Sequence, residues 1–364
     1  MKIENRKLKS LLFLAFFLLV VLEILTRTYF FISKRDINAF RKDPGRYQGS
    51  HFTGYKLSPN FILNHNTLKE SINSLGFKSP EIKIKKMENT YRIICIGGSV
   101  VYGSFDNEKT WPSFLQRLSN NKKFTEKKVE VINAGIPGYT SFHTLTQFIT
   151  KIIDLDPDLI ISYQLFTDSW YFGDLNKDVL IADYFAPYEK KSLIDIIFDT
   201  SHFLVLSRAI AREYVSITNI FRRKKEIIVA DGKKPNKFSE NNLYYYQRNI
   251  RIMALVCEQL GVDLILCIPI SLFKETNTKD EQNLMMHYDK KDYYLDFIKE
   301  GKNILHDIAK EFSTVYYFDP TSKIDANINI LKDQFHPTIA GNELIAKELH
   351  KYIHTIKYNQ GSLD

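Results

Sequence analysis

A parallel α/β sheet covered by helices on both faces is the fold this sequence predicts, and three observations predict it. Apolar runs rich in β-branched and aliphatic residues, free of internal Gly and Pro, recur at 91–96, 129–132, 159–163, 263–268 and 315–318. Runs that are apolar without alternation read as strands buried on both faces. The stretches between them carry helix start and stop signals, so strands alternate with helices, as in a parallel sheet. Two of the runs end in Gly-rich loops, Gly97-Gly98-Ser99 and Asn133-Ala134-Gly135-Ile136-Pro137-Gly138. The carboxyl edge of an open parallel sheet is where ligands bind.

The size suits this fold. The chain has 364 residues, of which 44% are hydrophobic and 25% charged. These are ordinary globular values, enough for one large α/β domain with additions or for two small domains. The net charge of +8 comes from lysines scattered in pairs, such as Lys85-Lys86 and Lys127-Lys128. No basic stripe interleaves with aromatics, so the charge reads as solvated surface and no nucleic-acid partner is expected. None of the three cysteines belongs to a Cys-x-x-Cys pair. Cys95 and Cys267 fall in strands and Cys257 on a helix, which predicts buried, unpaired thiols.

In chain order, the first element is a membrane-anchor helix. Basic residues precede an apolar run over 11–25 that only Glu23 interrupts. No small-x-small cleavage site follows, so an uncleaved signal anchor over 1–35 is favoured over a cleaved leader. A buried amphipathic helix is the alternative. Glu23 and Arg27 stand four apart and can pair on a helix, lowering the cost of placing them near a membrane interface. Charge does not orient the span, because Arg27, Lys34, Arg35, Arg41 and Lys42 balance the amino-terminal lysines. The stretch 36–88 is rich in turn signals and predicts an irregular link packed on the domain.

The domain proper covers 89–358. Thr110 with Pro112 predicts a helix start after the Ser99 loop, and Thr140 or Ser141 caps a helix running to about 153. After Asp168 the alternation breaks. A helical insertion is expected over about 169–239, its amphipathic part at 194–221 ending in Arg222-Arg223-Lys224-Lys225. It reads either as a lid beside the substrate edge or as a cover for the sheet edge, and its basic end complements a helix dipole or meets an anionic surface. Helices over 241–260, stopped by Gly261, and over 294–312 flank the last strands. The loop Asp333-Gln334-Phe335-His336-Pro337-Thr338 then leads into a final helix.

Ser99 stands where a nucleophile would stand, although Gly-Gly-Ser is also an ordinary turn or phosphate cradle. The stretch is not a Gly-x-Ser-x-Gly elbow, since Val101 replaces the last glycine, and no Gly-Lys-Ser/Thr makes it a P-loop. Asp333 and His336, three apart, can set a carboxylate beside an imidazole, which fixes the tautomer and frees the other ring nitrogen as a base. Alone, that spacing also suits a capping Asp and an idle His. Asp154, Asp156 and Asp158 lack the central Gly and final Glu of a calcium loop, and His350 with His354 lacks a third ligand. No metal or other cofactor is expected.

Several stretches together resemble the SGNH/GDSL hydrolase superfamily, in its membrane-anchored bacterial form. Gly97 to Gly103 is similar to its first block, Asn133 to Tyr139 to its second, and Asp333 to Thr338 to its last. Asn73-Ser74-Leu75-Gly76-Phe77-Lys78-Ser79-Pro80-Glu81 and the Glu23/Arg27 anchor also resemble this group. The resemblance implies a flavodoxin-like three-layer α/β/α sandwich and a triad of Ser99, His336 and Asp333. It implies an oxyanion hole from the backbone N–H groups of Ser99 and Gly135. The third block departs from the family's Gly-x-Asn-Asp: Leu165-Phe166-Thr167-Asp168 offers the shorter Thr167 hydroxyl in place of an amide donor. Gln164 is an alternative donor, though it points to the other face of its strand. The implied activity is ester hydrolysis, removing O-acyl groups, often acetyl, from envelope carbohydrate or glycolipid outside a bacterial cytoplasmic membrane. An O-acyltransferase and a catalytically impaired carbohydrate-binding or polysaccharide-assembly subunit are the alternatives.

Overall fold

The computed structural model describes residues 2–33, 45–65, 68–104, 106–171, 200–207, 210 and 243–361. The chain divides into two compact units, one of Met1–Tyr47, Ile62–Lys69 and Tyr188–Ala230, the other of Gln48–Phe61, Glu70–Pro187 and Asp231–Asp364. Most of the expected insertion lies outside the described residues. Its described residues are 169–171, in the larger unit, and 200–207 with Ile210, in the unit that contains the amino-terminal helix.

The larger unit is built on five strands: β1 (Thr90–Ile96), β2 (Lys128–Asn133), β3 (Leu159–Tyr163), β4 (Asp263–Cys267) and β5 (Val315–Phe318). Their order is β2-β1-β3-β4-β5 and every neighbouring pair is parallel. This is the flavodoxin-like order, in which the chain reverses direction across the sheet between β1 and β3. Every residue of β1 and β3 is buried, as expected for strands covered on both faces. The apolar side chains of Ile93, Ile94, Ile160, Ile161, Leu264 and Ile265 make the centre of the core.

Helices follow the strands. They are α2 (Ser99–Tyr102), α3 (Trp111–Asn121), α4 (Ser141–Gln147), α5 (Phe166–Tyr171), α6 (Tyr244–Leu260), α7 (Lys279–Leu284), α8 (Lys291–Glu311) and α9 (Ile339–Gly361), after the amino-terminal α1 (Lys2–Ser33). α3 packs with α9, whereas α6 packs with α4 and α8; the two groups form the outer layers of a three-layer sandwich. α4 continues through a π turn and a 3₁₀ turn to Leu155, close to the expected end. Gly261 terminates α6 in the left-handed region at φ 64°, returning its N–H to Cys257 and Glu258 carbonyls. All three cysteines are free and buried.

One polar side chain stands out in the core. Arg92 lies inside β1 and is 1% exposed. Its Nε donates to Glu130 at 2.6 Å and its other nitrogens reach the carbonyls of Ile84, Lys83 and Leu155. A buried guanidinium is tolerable only when its donors are so matched.

Three local expectations differ from the structure. The link over 36–88 contains two hairpins, Tyr47–Ser50 with Gly54–Leu57 and Ile62–His65 with Leu68–Ser71, where an irregular chain was expected. Their four-residue strands are too short to show alternation in the sequence. Thr110 occupies the N-cap of α3, but its hydroxyl donates to the Asn107 carbonyl instead of accepting from the helix. α5 and α7 are additional short helices. In α1, the stretch Lys9–Ser33 contains an 18-residue run of mean hydropathy 2.3 and is long and apolar enough to be a membrane anchor or a signal sequence.

Candidate active site

The site sits at the carboxyl edge, where the strand order reverses. β1 ends at Ile96, and Gly97 turns the chain at φ 146°, a conformation open to glycine alone. A Cβ at Gly97 would also overlap the Tyr163 carbonyl at the end of β3. The turn delivers Ser99 as the first residue of α2. Among the described residues the Ser99 N–H has no acceptor, as expected at the start of a helix.

His336 and Asp333 reach Ser99 from the loop after β5. Ser99 Oγ lies 2.8 Å from His336 Nε2, and His336 Nδ1 lies 3.0 and 2.9 Å from the two carboxylate oxygens of Asp333. With Asp333 ionised, Nδ1 carries the proton and Nε2 accepts from the serine hydroxyl. The same carboxylate takes the backbone N–H groups of Phe335 and His336 at 2.9 and 2.8 Å, so the three-residue spacing closes a turn around it. Burial pushes the Asp333 carboxyl up, but the imidazole and the two backbone donors outweigh it and hold it below the usual carboxylate range. The loop is pinned at both ends: Lys332 N–H donates to His336 O, and Thr338 N–H to Ile330 O. Between them, Phe335 stacks on Phe166 at 4.0 Å, tying the histidine loop to the segment that carries Thr167.

Gly135 lies on the second Gly-rich loop. A Cβ there would overlap the Tyr102 backbone nitrogen, so glycine is required for this loop to lie against α2. Its N–H already donates to Asn133 Oδ1 at 3.1 Å. Any bond from it to an oxyanion would be shared with that acceptor. Thr167 lies in the first turn of α5, its Oγ1 facing Gly98 closely enough that a Cβ on Gly98 would stand 3.1 Å from it. The hydroxyl has no hydrogen-bond partner among the described residues. Gln164 is directed elsewhere: its Oε1 accepts from Thr144 at 2.7 Å and its amide reaches Ser162.

Sequence reasoning assigned no role to the residues that brace this site. Asn133 Nδ2 donates to the carbonyls of Val101 and Tyr102, while its backbone N–H donates to Ser79 Oγ at 2.8 Å. Lys78, 1% exposed, donates from Nζ to the Gly103 carbonyl at 3.0 Å and lies 4.3 Å over the Tyr102 ring. Tyr102 in turn donates to Glu70. The stretch Asn73 to Glu81 thus holds α2 from behind, and nothing in that polar, turn-rich stretch marked its lysine out. Asp168 is fully buried and accepts from the Ser141 N–H and, at 2.5 Å, from its hydroxyl; Asn249 then donates to that hydroxyl at 2.9 Å. Burial pushes the Asp168 carboxyl up to about 7 against the opposing pull of Ser141. His350 and His354 both direct Nε2 at the Lys122 carbonyl, at 2.9 and 3.4 Å, and cap the end of α3. A cavity of about 430 Å³ opens beyond β4 and β5, lined by Phe273, Lys274, Lys299 and Lys302 among others, and includes none of the three relay residues.

Fold and site together define a class: a parallel α/β sandwich with a Ser-His-Asp relay at its topological switch point. No protein-family profile matches the chain, and no curated protein matches it. Among solved structures, a GDSL-like lipase from Bacteroides thetaiotaomicron is similar at 15% identity and TM-score 0.42, over 74% of this chain and 91% of that one. A catalytic mutant of the acetylxylan esterase Axe2 from Geobacillus stearothermophilus is similar at 14% identity and TM-score 0.42, over 72% of this chain and 94% of that one. At TM-scores below 0.5 these likenesses carry no weight for function, which rests on the site itself.

Proposed function

We propose that the protein is a serine ester hydrolase of the SGNH/GDSL type, removing O-acyl groups, above all acetyl, from carbohydrate or glycolipid of the bacterial envelope. The observation that carries the reading is the continuous relay from Ser99 Oγ through His336 to Asp333, with every link between 2.8 and 3.0 Å. α1 serves as the membrane anchor and the catalytic domain lies outside the cytoplasmic membrane, where envelope polysaccharide and its assembly proteins are the partners.

The chemistry is two-step acyl transfer. Ser99 Oγ attacks the ester carbonyl carbon as its proton passes to His336 Nε2. The imidazolium so formed is stabilised by Asp333. The carbonyl electrons move to oxygen, and the Ser99 N–H stands free to receive that charge. Collapse breaks the bond to the alcohol, which leaves with the proton from His336. Water, deprotonated by the same nitrogen, then attacks the acyl carbon; the bond to Ser99 Oγ breaks, the acid leaves, and His336 returns the proton to Ser99. A sugar hydroxyl in place of water would make the protein an O-acyltransferase.

A second reading has its own observations. Thr167 replaces the family's amide donor, and the Gly135 N–H is already engaged, which together favour a weakened oxyanion hole and a subunit that binds acylated glycan without turning it over. Turnover of p-nitrophenyl acetate by the detergent-solubilised full chain separates the two. Hydrolysis that drops on the order of 10⁶-fold in Ser99→Ala and in His336→Ala establishes the relay. Equal rates for wild type and both variants reject hydrolysis of small esters and favour the binding subunit. Acetate released from an acetylated glycan marks a hydrolase, and acetate gained by an acceptor sugar marks a transferase.

A further inference from the structure

The amino-terminal helix carries an acidic residue where a bilayer tolerates one poorly, and the structure gives that residue partners from far along the chain. Glu23 lies fourteen residues beyond Lys9, the start of the apolar stretch. At about 1.5 Å per residue that is roughly 21 Å along the axis, inside a hydrocarbon core roughly 30 Å thick. An ionised carboxylate at such depth persists only when paired and hydrogen-bonded. Arg27 Nε supplies one partner, at 2.7 Å from Oε1. The others come from 200–207. The His202 N–H donates to Oε1 at 3.1 Å, the Phe203 N–H to Oε2 at 3.0 Å, and the Ser201 hydroxyl to Oε2 at 2.7 Å. Arg27 also donates to the Thr200 carbonyl at 3.1 Å, so both members of the pair hold the same segment.

The packing agrees with the hydrogen bonds. Thr26 and Phe30, three and seven residues after Glu23 on the same face, are the buried positions of α1, while the apolar residues of its other faces are exposed. The Phe30 ring meets His202 edge-on at 5.9 Å. Within the segment Val205 is buried, and its neighbours Phe203, Leu204 and Leu206 are apolar. Ser201 O and Oγ accept the N–H groups of Val205 and Leu204, so these two backbone donors find partners within the segment, as hydrocarbon requires.

We propose that 200–207 is a membrane-seated element that docks on α1 at Glu23 and lies among lipid acyl chains, in the half of the bilayer toward which the chain continues. This rests on the reading of α1 as a membrane anchor. Residues 200–207 are then fastened at the membrane, and Glu23 with Arg27 is their docking point within the span.

The test uses the full chain in vesicles of phosphatidylethanolamine and phosphatidylglycerol. The three native cysteines are buried, so a single Leu206→Cys or Leu18→Cys substitution gives a selective site for an environment-sensitive fluorophore. Lipids with a spin label on the acyl chain are expected to quench both positions, with aqueous iodide quenching neither. Glu23→Ala is expected to abolish lipid quenching at position 206 and leave it at position 18. Glu23→Gln, whose one oxygen can take the Oε2 place and accept from the Ser201 hydroxyl and the Phe203 N–H, is expected to keep lipid quenching at both positions, separating loss of docking from loss of folding. Iodide quenching at 206 in an otherwise wild-type chain whose position 18 is lipid-quenched overturns the proposal. So does lipid quenching at 206 that survives Glu23→Ala. Failure of lipid to quench position 18 instead overturns the anchor reading, and this proposal with it.

Discussion

In the proposed hydrolase, Thr167 is the residue on which the strength of the site turns. Its hydroxyl faces Gly98, next to Ser99, and is otherwise unengaged among the described residues, so it is placed to donate but reaches less far than an amide. Removal of one oxyanion donor typically costs ~10²–10³ in rate, so Thr167→Val, which keeps the shape and loses the hydroxyl, is expected to lower kcat about 100-fold with little change in KM. Thr167→Asn is expected to match or exceed wild type in p-nitrophenyl acetate turnover. A rate far below wild type would show that Thr167 is no mere weaker Asn. Asp333 acts one step further back. Its carboxylate holds the His336 ring through Nδ1 and is itself held by two N–H groups. Asp333→Asn preserves the shape but presents an amide that can stabilise the wrong tautomer, so kcat is expected to fall by ~10⁴ while the fold persists. Single-turnover acylation measured beside circular dichroism distinguishes that loss from unfolding.

The strands were legible because parallel strands buried on both faces leave mostly apolar runs, and the runs at 91–96 and 159–163, broken only by Arg92 and Ser162, correspond to β1 and β3 within a residue. Ser99, His336 and Asp333 were legible through their loops, since glycine at 97 and the three-residue Asp-to-His spacing are local requirements of the backbone. The bracing of the site was not legible, because it joins segments distant in sequence: Ser79 to Asn133, Lys78 to Gly103, and Phe335 to Phe166. No periodicity within one element encodes such pairs. The same contacts explain why Gly135 is a glycine irrespective of any catalytic donor, since α2 leaves no room for a Cβ. Gly135→Ala is therefore expected to destabilise the fold by about 1–3 kcal/mol through overpacking, read as a lower urea midpoint. An unchanged midpoint with reduced turnover would instead assign the glycine to the chemistry.

Across the whole molecule, two buried titratable groups set opposing dependences of stability on pH. Burial holds His143 down at about 4 from an ordinary 6.5, so between those values the unfolded chain binds a proton that the folded chain refuses, and stability rises with pH. Burial lifts the Asp168 carboxyl from 3.8 to about 7, so over that range the folded chain keeps a proton that the unfolded chain has lost, and stability falls with pH. Each fully expressed difference of one proton is worth about 1.4 kcal/mol per pH unit, so over the shared window the two slopes largely cancel in wild type. Asp333, held below its ordinary value, adds stability that is present above the usual carboxylate pKa and is lost only as pH falls through its lowered one. Asp168→Asn keeps the shape of the side chain that Ser141 meets and removes the titration. Its urea midpoint is expected to climb from pH 4 to 6.5 where that of wild type is nearly level, and the two curves are expected to run parallel above pH 7. Parallel curves across the lower range would mean that Asp168 keeps its ordinary carboxylate behaviour, with Ser141 and Asn249 outweighing the burial of its charge.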